Sequence, residues 1–187
     1  MPQAQTLNEN QLRRVLHYCR TRRHFARDQT IVLFSFYAGL RASELAALKH
    51  ADVFDSEGEV RNQFTLSTSQ SKGGRARTVY LNQRLRKALA DYAQQQHSMP
   101  HQPLFCSQKG GHFSANTMCQ LFLDVYKAVG LNNASSHSGR RTFITRLATA
   151  GVGVRVLAEL AGHSHISTTQ RYIDVNSDQL TAAVELL

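Results

Sequence analysis

The chain has 187 residues, 42% of them hydrophobic, and carries 22 Lys and Arg against 13 Asp and Glu, a formal charge of +9. That length and apolar content suit one domain with its own core, and the positive balance favours a polyanionic partner such as nucleic acid, though charge alone does not decide it. Three cysteines, Cys19, Cys106 and Cys119, form no CxxC pair and leave an odd thiol, which argues against a disulfide scaffold or a zinc ribbon.

Residues 8–20 (NENQLRRVLHYCR) begin with Asn and place Leu12, Val15, Leu16 and Cys19 at helical spacing, the pattern of a capped amphipathic helix. A more apolar helix is predicted over 28–38, ended by Gly39, and a short one over 43–48. Between Asp52 and Leu81 the pattern changes to short β-type runs, VF, QFTLS and RTVYL, separated by the turn signals SEG and SKGG. These predict a small antiparallel sheet of three strands. Helical periodicity returns over 83–96, breaks at the Pro100 to Pro103 linker, and resumes over 115–129, 139–150 and 153–161. A last amphipathic stretch, 178–187, sets Leu180, Ala183, Val184 and Leu187 on one face. The expected class is α+β, mainly α-helical, as a single domain over 1–187. No apolar run reaches the ~18 residues of a membrane span and no signal-peptide pattern opens the chain, so a cytoplasmic, nucleoid-associated protein is expected.

Four separated segments set unusual polar residues beside apolar helices: GLRASEL (39–45), QSKGGRAR (70–77), HSGRR (137–141) and GHSHISTTQRY (162–172). Each alone has a plain explanation: an Arg after a Gly turn is usually on the surface, a Lys in a hairpin is usually solvated, and a His at a helix start is often a cap. His137 and Arg140 stand three apart at a predicted helix start, so they share a face, and a helix N-terminus favours a phosphate. Arg141 is rotated away from that face and reads as a surface or DNA-backbone contact, and His165 as solvent-exposed. Tyr18, Tyr37, Tyr80, Tyr92 and Tyr126 lie in patterned positions and read as packing residues.

Taken in order, the four segments resemble the tyrosine recombinase and phage integrase family, whose signature is Arg, Lys, His-x-x-Arg, His and Tyr. The resemblance runs from residue 6 to about 180 and includes the flanking context in GLRASEL and LAGHSHISTTQRY. Gly139 departs from it, because the family more often has an apolar residue such as Leu there. That position packs rather than reacts, so the departure bears on local helix stability and leaves the chemistry intact.

The resemblance implies a role for each matched residue. Arg41 and Arg140 clamp the non-bridging oxygens of a phosphodiester with bidentate, charge-assisted bonds that Lys cannot mimic. His137 is the proton acceptor or the phosphate-orienting group, and His163 the second family histidine, bonded to the phosphate. Tyr172 is the nucleophile, and since a phenol ionises near ~10 it needs a nearby base or cations. Lys72, in the Gly-rich turn between two strands, is the general acid for the leaving 5′ oxygen. Glu44 holds Arg41 in position.

The implied activity is site-specific recombination of double-stranded DNA through a 3′-phosphotyrosyl intermediate, with no metal and no cofactor. The implied assembly is a tetrameric synapse in which residues 178–187 cross between subunits, with DNA-bending proteins as accessory partners. The family's N-terminal core-binding clamp domain is expected to be absent, because the match begins near residue 6. Two alternatives stand beside this reading: a type IB topoisomerase that relaxes DNA, and a recombinase-derived regulator that binds DNA without cutting it.

Overall fold

The computed structural model describes residues 4–71, 74–95, 99–173, 180–181 and 184–185. Among these, the elements run in chain order as α1 (Glu9–Arg20), α2 (Phe25–Ala38), α3 (Ala42–Ala47), α4 (His50–Val53), β1 (Gln63–Leu66), β2 (Arg77–Tyr80), α5 (Gln83–Ala93), α6 (Ala115–Ala128), α7 (Ser138–Thr149), α8 (Val154–Ala161) and α9 (Ile166–Gln170). The longer helices fall where the periodicity places them. Asn8 accepts from the Gln11 N–H while the Gln11 side chain accepts from Asn8 N–H, a capping box that starts α1. Asn82 and Ser114 cap α5 and α6 in the same way through the N3 amide.

Helix α2 is apolar almost all round, the pattern of a helix buried on every side, and it is the hub against which α1, α5, α7 and α3 pack. Phe34 on α2 meets Phe64 of β1 and Phe105 edge-on, at ring-centroid distances of 6.4 and 6.0 Å. These contacts join the helical core to the sheet. At the other end of α2, Arg22 and Arg27 donate to the buried Asp28, and Arg27 also reaches the Cys106 carbonyl, tying the segment before α6 to the hub.

The sheet has two antiparallel strands among the described residues, not three. Its register pairs Gln63 with Tyr80 and Leu66 with Arg77. The predicted first strand, VF, fails for a local reason. Val53 closes the single turn of α4, and Phe54 forms only an isolated bridge to Val60 while His50 stacks on its ring at 4.2 Å. Asp55 then accepts from the N–H groups of Glu57 and Glu59, closing the turn before a ladder can extend. Helices α4 and α9 are too short to give a periodic signal. Of the predicted 178–187 helix, Ala183 and Leu187 lie outside the described residues, and Leu180 and Val184 are exposed.

Gly139 is a contact point. A Cβ added there would overlap Ser35 Oγ on α2 and would lie 2.8 Å from Ser35 Cβ and 3.0 Å from its carbonyl carbon. Helix α7 thus approaches α2 closer than any side chain at this position permits, and the expected cost in helix propensity is secondary to that close approach. Gly139→Ala should therefore lower stability by about 1–3 kcal/mol in chemical denaturation, although Ala is the better helix former. Ser35→Ala, which removes a hydroxyl without a hydrogen-bond partner among the described residues, should lessen that penalty in the double variant. A Gly139→Ala protein as stable as the parent would mean that α2 and α7 part without cost.

Candidate active site

Gly39 ends α2 in the left-handed region at φ +64°, and a Cβ there would sit 2.5 Å from the Phe143 ring of α7. The chain turns and Arg41 becomes the residue that starts α3. Glu44, fully buried, accepts from both ends of Arg41: Nη1 donates to Oε1 at 2.6 Å and the backbone N–H to Oε2 at 2.9 Å. Arg77 Nη2 donates to Oε2 at 2.8 Å. Burial alone would raise the Glu44 carboxyl, but the Arg77 charge, the Arg41 N–H, and the charges of Arg41 and Arg140 outweigh it and hold the group below the usual carboxylate range.

Arg140 projects from the first turn of α7 into the same region. Its Nη1 donates to the Gly39 carbonyl at 2.7 Å, and its Nη2 donates to the Ala161 carbonyl and faces His163 Nε2 at 3.0 Å. Burial first, and then the Arg41 charge, lower its pKa from the usual arginine value. His163 follows Gly162, which ends α8 at φ +62°. Burial and the guanidiniums of Arg140, Arg41 and Arg77 push the imidazole down to about 4, so it is neutral at pH 7. A guanidinium only donates, so His163 Nε2 must be the acceptor; the ring proton then sits on Nδ1 and is given to Thr169 Oγ1 at 2.8 Å. The Tyr172 ring stacks on His163 with centroids 5.9 Å apart and planes 20° apart, and Tyr172 is near enough to act electrostatically on Arg140.

Beside these groups a cleft of about 520 Å³ is lined by Arg41, Ser69, Ser71, Cys119, Ser136 and His137. His137 is exposed at the start of α7. The cleft wall reaches Ser71; Lys72, next in sequence, lies outside the described residues. A larger cleft of about 720 Å³ runs along α1 past Arg13, His17 and Val129, and none of the predicted site residues line it. Arg141 turns away and donates to the Ala4 carbonyl, and His165 is exposed. Tyr92 and Tyr126 are buried as packing residues should be, but Tyr80 is 56% exposed on the outer face of β2, which corrects its reading as a packing residue.

Arginine, His-x-x-Arg, histidine and tyrosine thus converge from three segments, and the phage integrase family model matches residues 5–179. The chain belongs to the phage integrase family. It is 30% identical over 156 residues to a tyrosine recombinase XerC from Pelobacter propionicus, covering 82% of this chain and 49% of that protein. It is 33% identical over 163 residues to a tyrosine recombinase XerA from Pyrococcus horikoshii, covering 85% and 54%. The chain spans about half the length of these relatives. Its fold superposes on the crystal structure of XerA recombinase with a TM-score of 0.76 at 25% identity, over all of this chain and 65% of that one. The Tn1549 transposon integrase, solved with circular intermediate DNA, gives 0.79 at 21% identity, over 100% and 67%.

In this phage integrase family member, sequence reasoning passed over Arg77, which shares Glu44 with Arg41. A signal was available: in RTVYL the period-2 alternation puts Arg77 on the same face as Val79 and Leu81, both buried. The state of His163 has a measurable consequence. Its folded pKa lies below the ~6.5 of an unfolded histidine, so the native state binds fewer protons in that window. The stability it contributes is complete above ~6.5 and is lost as pH falls toward about 4. Thermal melts from pH 7 to 4 should show a steeper loss for the parent than for His163→Gln, whose amide oxygen takes the Nε2 place. His24 and His50, also lowered by burial, titrate in both proteins and cancel in the difference. Parallel curves would mean that His163 is not held neutral.

Proposed function

We propose that this chain is the catalytic domain of a site-specific DNA recombinase that cuts and rejoins double-stranded DNA through Tyr172. The reading rests on one observation: Arg41, Arg140, His163 and Tyr172, from distant parts of the sequence, meet beside a buried carboxylate, Glu44, that the guanidiniums of Arg41 and Arg77 share, with a third guanidinium, Arg140, close by. Such a site has an excess of positive charge beside a tyrosine, and a phosphodiester is the anion that uses both.

In the proposed reaction the Tyr172 oxygen attacks phosphorus and its proton passes to His137, a role supported by the exposure of that residue at the cleft. The bond from phosphorus to the 5′ oxygen breaks, and Lys72 gives that oxygen its proton. The 3′ phosphate stays on Tyr172, so the bond energy is kept, and attack by the 5′ hydroxyl of a partner strand reverses the step. Arg41 and Arg140 neutralise the non-bridging oxygens as charge builds. Tyr172 stacks on a histidine of its own chain, which supports cleavage within the protomer that binds the phosphate. Exposed Leu180 and Val184 support a tail that docks on a neighbouring protomer, as a tetrameric synapse requires.

The direct test is incubation with nicked, suicide-type DNA from the genomic neighbourhood. The parent should form a covalent adduct, and Tyr172→Phe should form none while binding DNA almost as well, because the hydroxyl supplies chemistry and little affinity. An adduct that survives in the variant would place the nucleophile elsewhere. No adduct with cognate DNA would favour a binding regulator, and relaxation without strand exchange would favour a topoisomerase.

Lys72 has its own test. Lys72→Ala should cleave slowly, and a substrate whose 5′ bridging oxygen is replaced by sulfur should restore the rate, since a thiolate leaves without a general acid. If sulfur brings no recovery, Lys72 binds DNA and does not donate the proton.

A further inference from the structure

Arg77 stands at an inward position of β2, where the alternation would suit an apolar residue. Its side chain is 4% exposed, and both of its terminal nitrogens are bonded within the chain. Nη2 donates to Glu44 Oε2 at 2.8 Å, and Nη1 donates to the Leu160 carbonyl at 3.1 Å, in the last turn of α8. Gly162 makes room for it: a Cβ there would overlap Arg77 Cδ and lie 2.8 Å from Nε. One guanidinium therefore lies between the turn that presents Arg41 and the turn that presents His163. We propose that Arg77 is a positioning residue for strand cleavage, holding these two turns in register. The inference rests on the reading that Tyr172 cleaves DNA.

A purely stabilising role is a poor account of this arginine. Burial and the neighbouring Arg41 charge both work against its charged form, and only Glu44 favours it. Its Nε is buried without a hydrogen-bond partner among the described residues. Buried ion pairs of this kind are often replaced by apolar side chains at no loss of stability. What an apolar side chain cannot do is bond two separate turns at once, as a planar fork with donors at both ends can.

Arg140 links the same two segments, from the Gly39 carbonyl to the Ala161 carbonyl. Arg140 must also meet the phosphate, however, and that draws on the donors that make its link. Arg77 makes its link separately, through Glu44 and the Leu160 carbonyl. It keeps the turns apart by a fixed distance when Arg140 is engaged. A shift of about 1 Å at a reacting group is enough to cost on the order of 100-fold in rate.

The experiment measures the single-turnover rate of adduct formation on saturating nicked DNA, and DNA affinity separately, for the parent, Arg77→Lys, Arg77→Met and Gly162→Ala. Arg77→Lys keeps the charge but cannot span both acceptors; Gly162→Ala disturbs the same link from the other side and serves if Arg77→Met does not fold. The expected result is a cleavage rate lower by about 10- to 100-fold in each, with affinity within about threefold of the parent. The Arg77→Lys, Gly162→Ala pair should be non-additive, because both break one link. Normal cleavage by folded Arg77→Lys and Arg77→Met would overturn the proposal, as would losses of rate and affinity that merely track loss of folded protein. Absence of any adduct in the parent would sink the recombinase reading itself, a distinct outcome.

Discussion

Glu44 is fully buried and stays charged because three donors converge on its two oxygens: the Arg41 side chain, the Arg41 N–H and Arg77. The arrangement cannot be thinned by one member. Removing a partner from a buried ion pair leaves an uncompensated charge and costs about 3–5 kcal/mol. Arg41 is thereby held at the start of α3 with its guanidinium turned to the cleft, and β2 is tied to α3 across the chain. The positions of the remaining site groups follow, since α8 packs on β2 and delivers Gly162 and His163 beside Arg77.

Local elements with full periodicity were legible in the sequence, as α1, α2, α5, α6, α7 and α8 illustrate. The VF run was not, because a two-residue apolar pair carries no period, and what decides it is the side-chain chemistry of Asp55 and His50. Gly139 illustrates a different limit. Its reason is a helix-to-helix distance, which a one-dimensional pattern does not contain. Arg77 lay within a segment singled out for Lys72, but an Arg near a hairpin reads as solvated until the strand's inward face is counted. The matched polar residues were legible as a set because their order is distinctive; which of them touch, and through which atoms, needed the fold.

Neutral His163 is a product of the same crowding. Partial burial, and then three guanidiniums, make a protonated imidazole unfavourable, and the lone pair on Nε2 is left to face Arg140. Thr169, buried in α9, fixes the other ring nitrogen. The short helix α9 thus sets the tautomer of His163 at its middle and presents Tyr172 just past its end. A change in the ring's orientation would be felt directly at the tyrosine stacked on it.

Arg140 is stabilised by a device other than a carboxylate. Its two Nη groups meet the Gly39 carbonyl at the C-terminal end of α2 and the Ala161 carbonyl at the C-terminal end of α8. Helix C-termini leave carbonyls without intrahelical partners and carry a partial negative charge, so one cation satisfies two such ends at once. The choice has a chemical consequence. A full carboxylate on Arg140 would compete with an anionic substrate for the same donors, whereas carbonyls hold the cation in place and leave its net charge uncancelled. Glu44 spends its charge on Arg41 and Arg77, one at the cleft and one behind it, and Arg140 remains the guanidinium best able to answer a phosphate. The left-handed glycines Gly39 and Gly162 make this geometry available, because each ends its helix abruptly enough to turn a terminal carbonyl toward the same arginine.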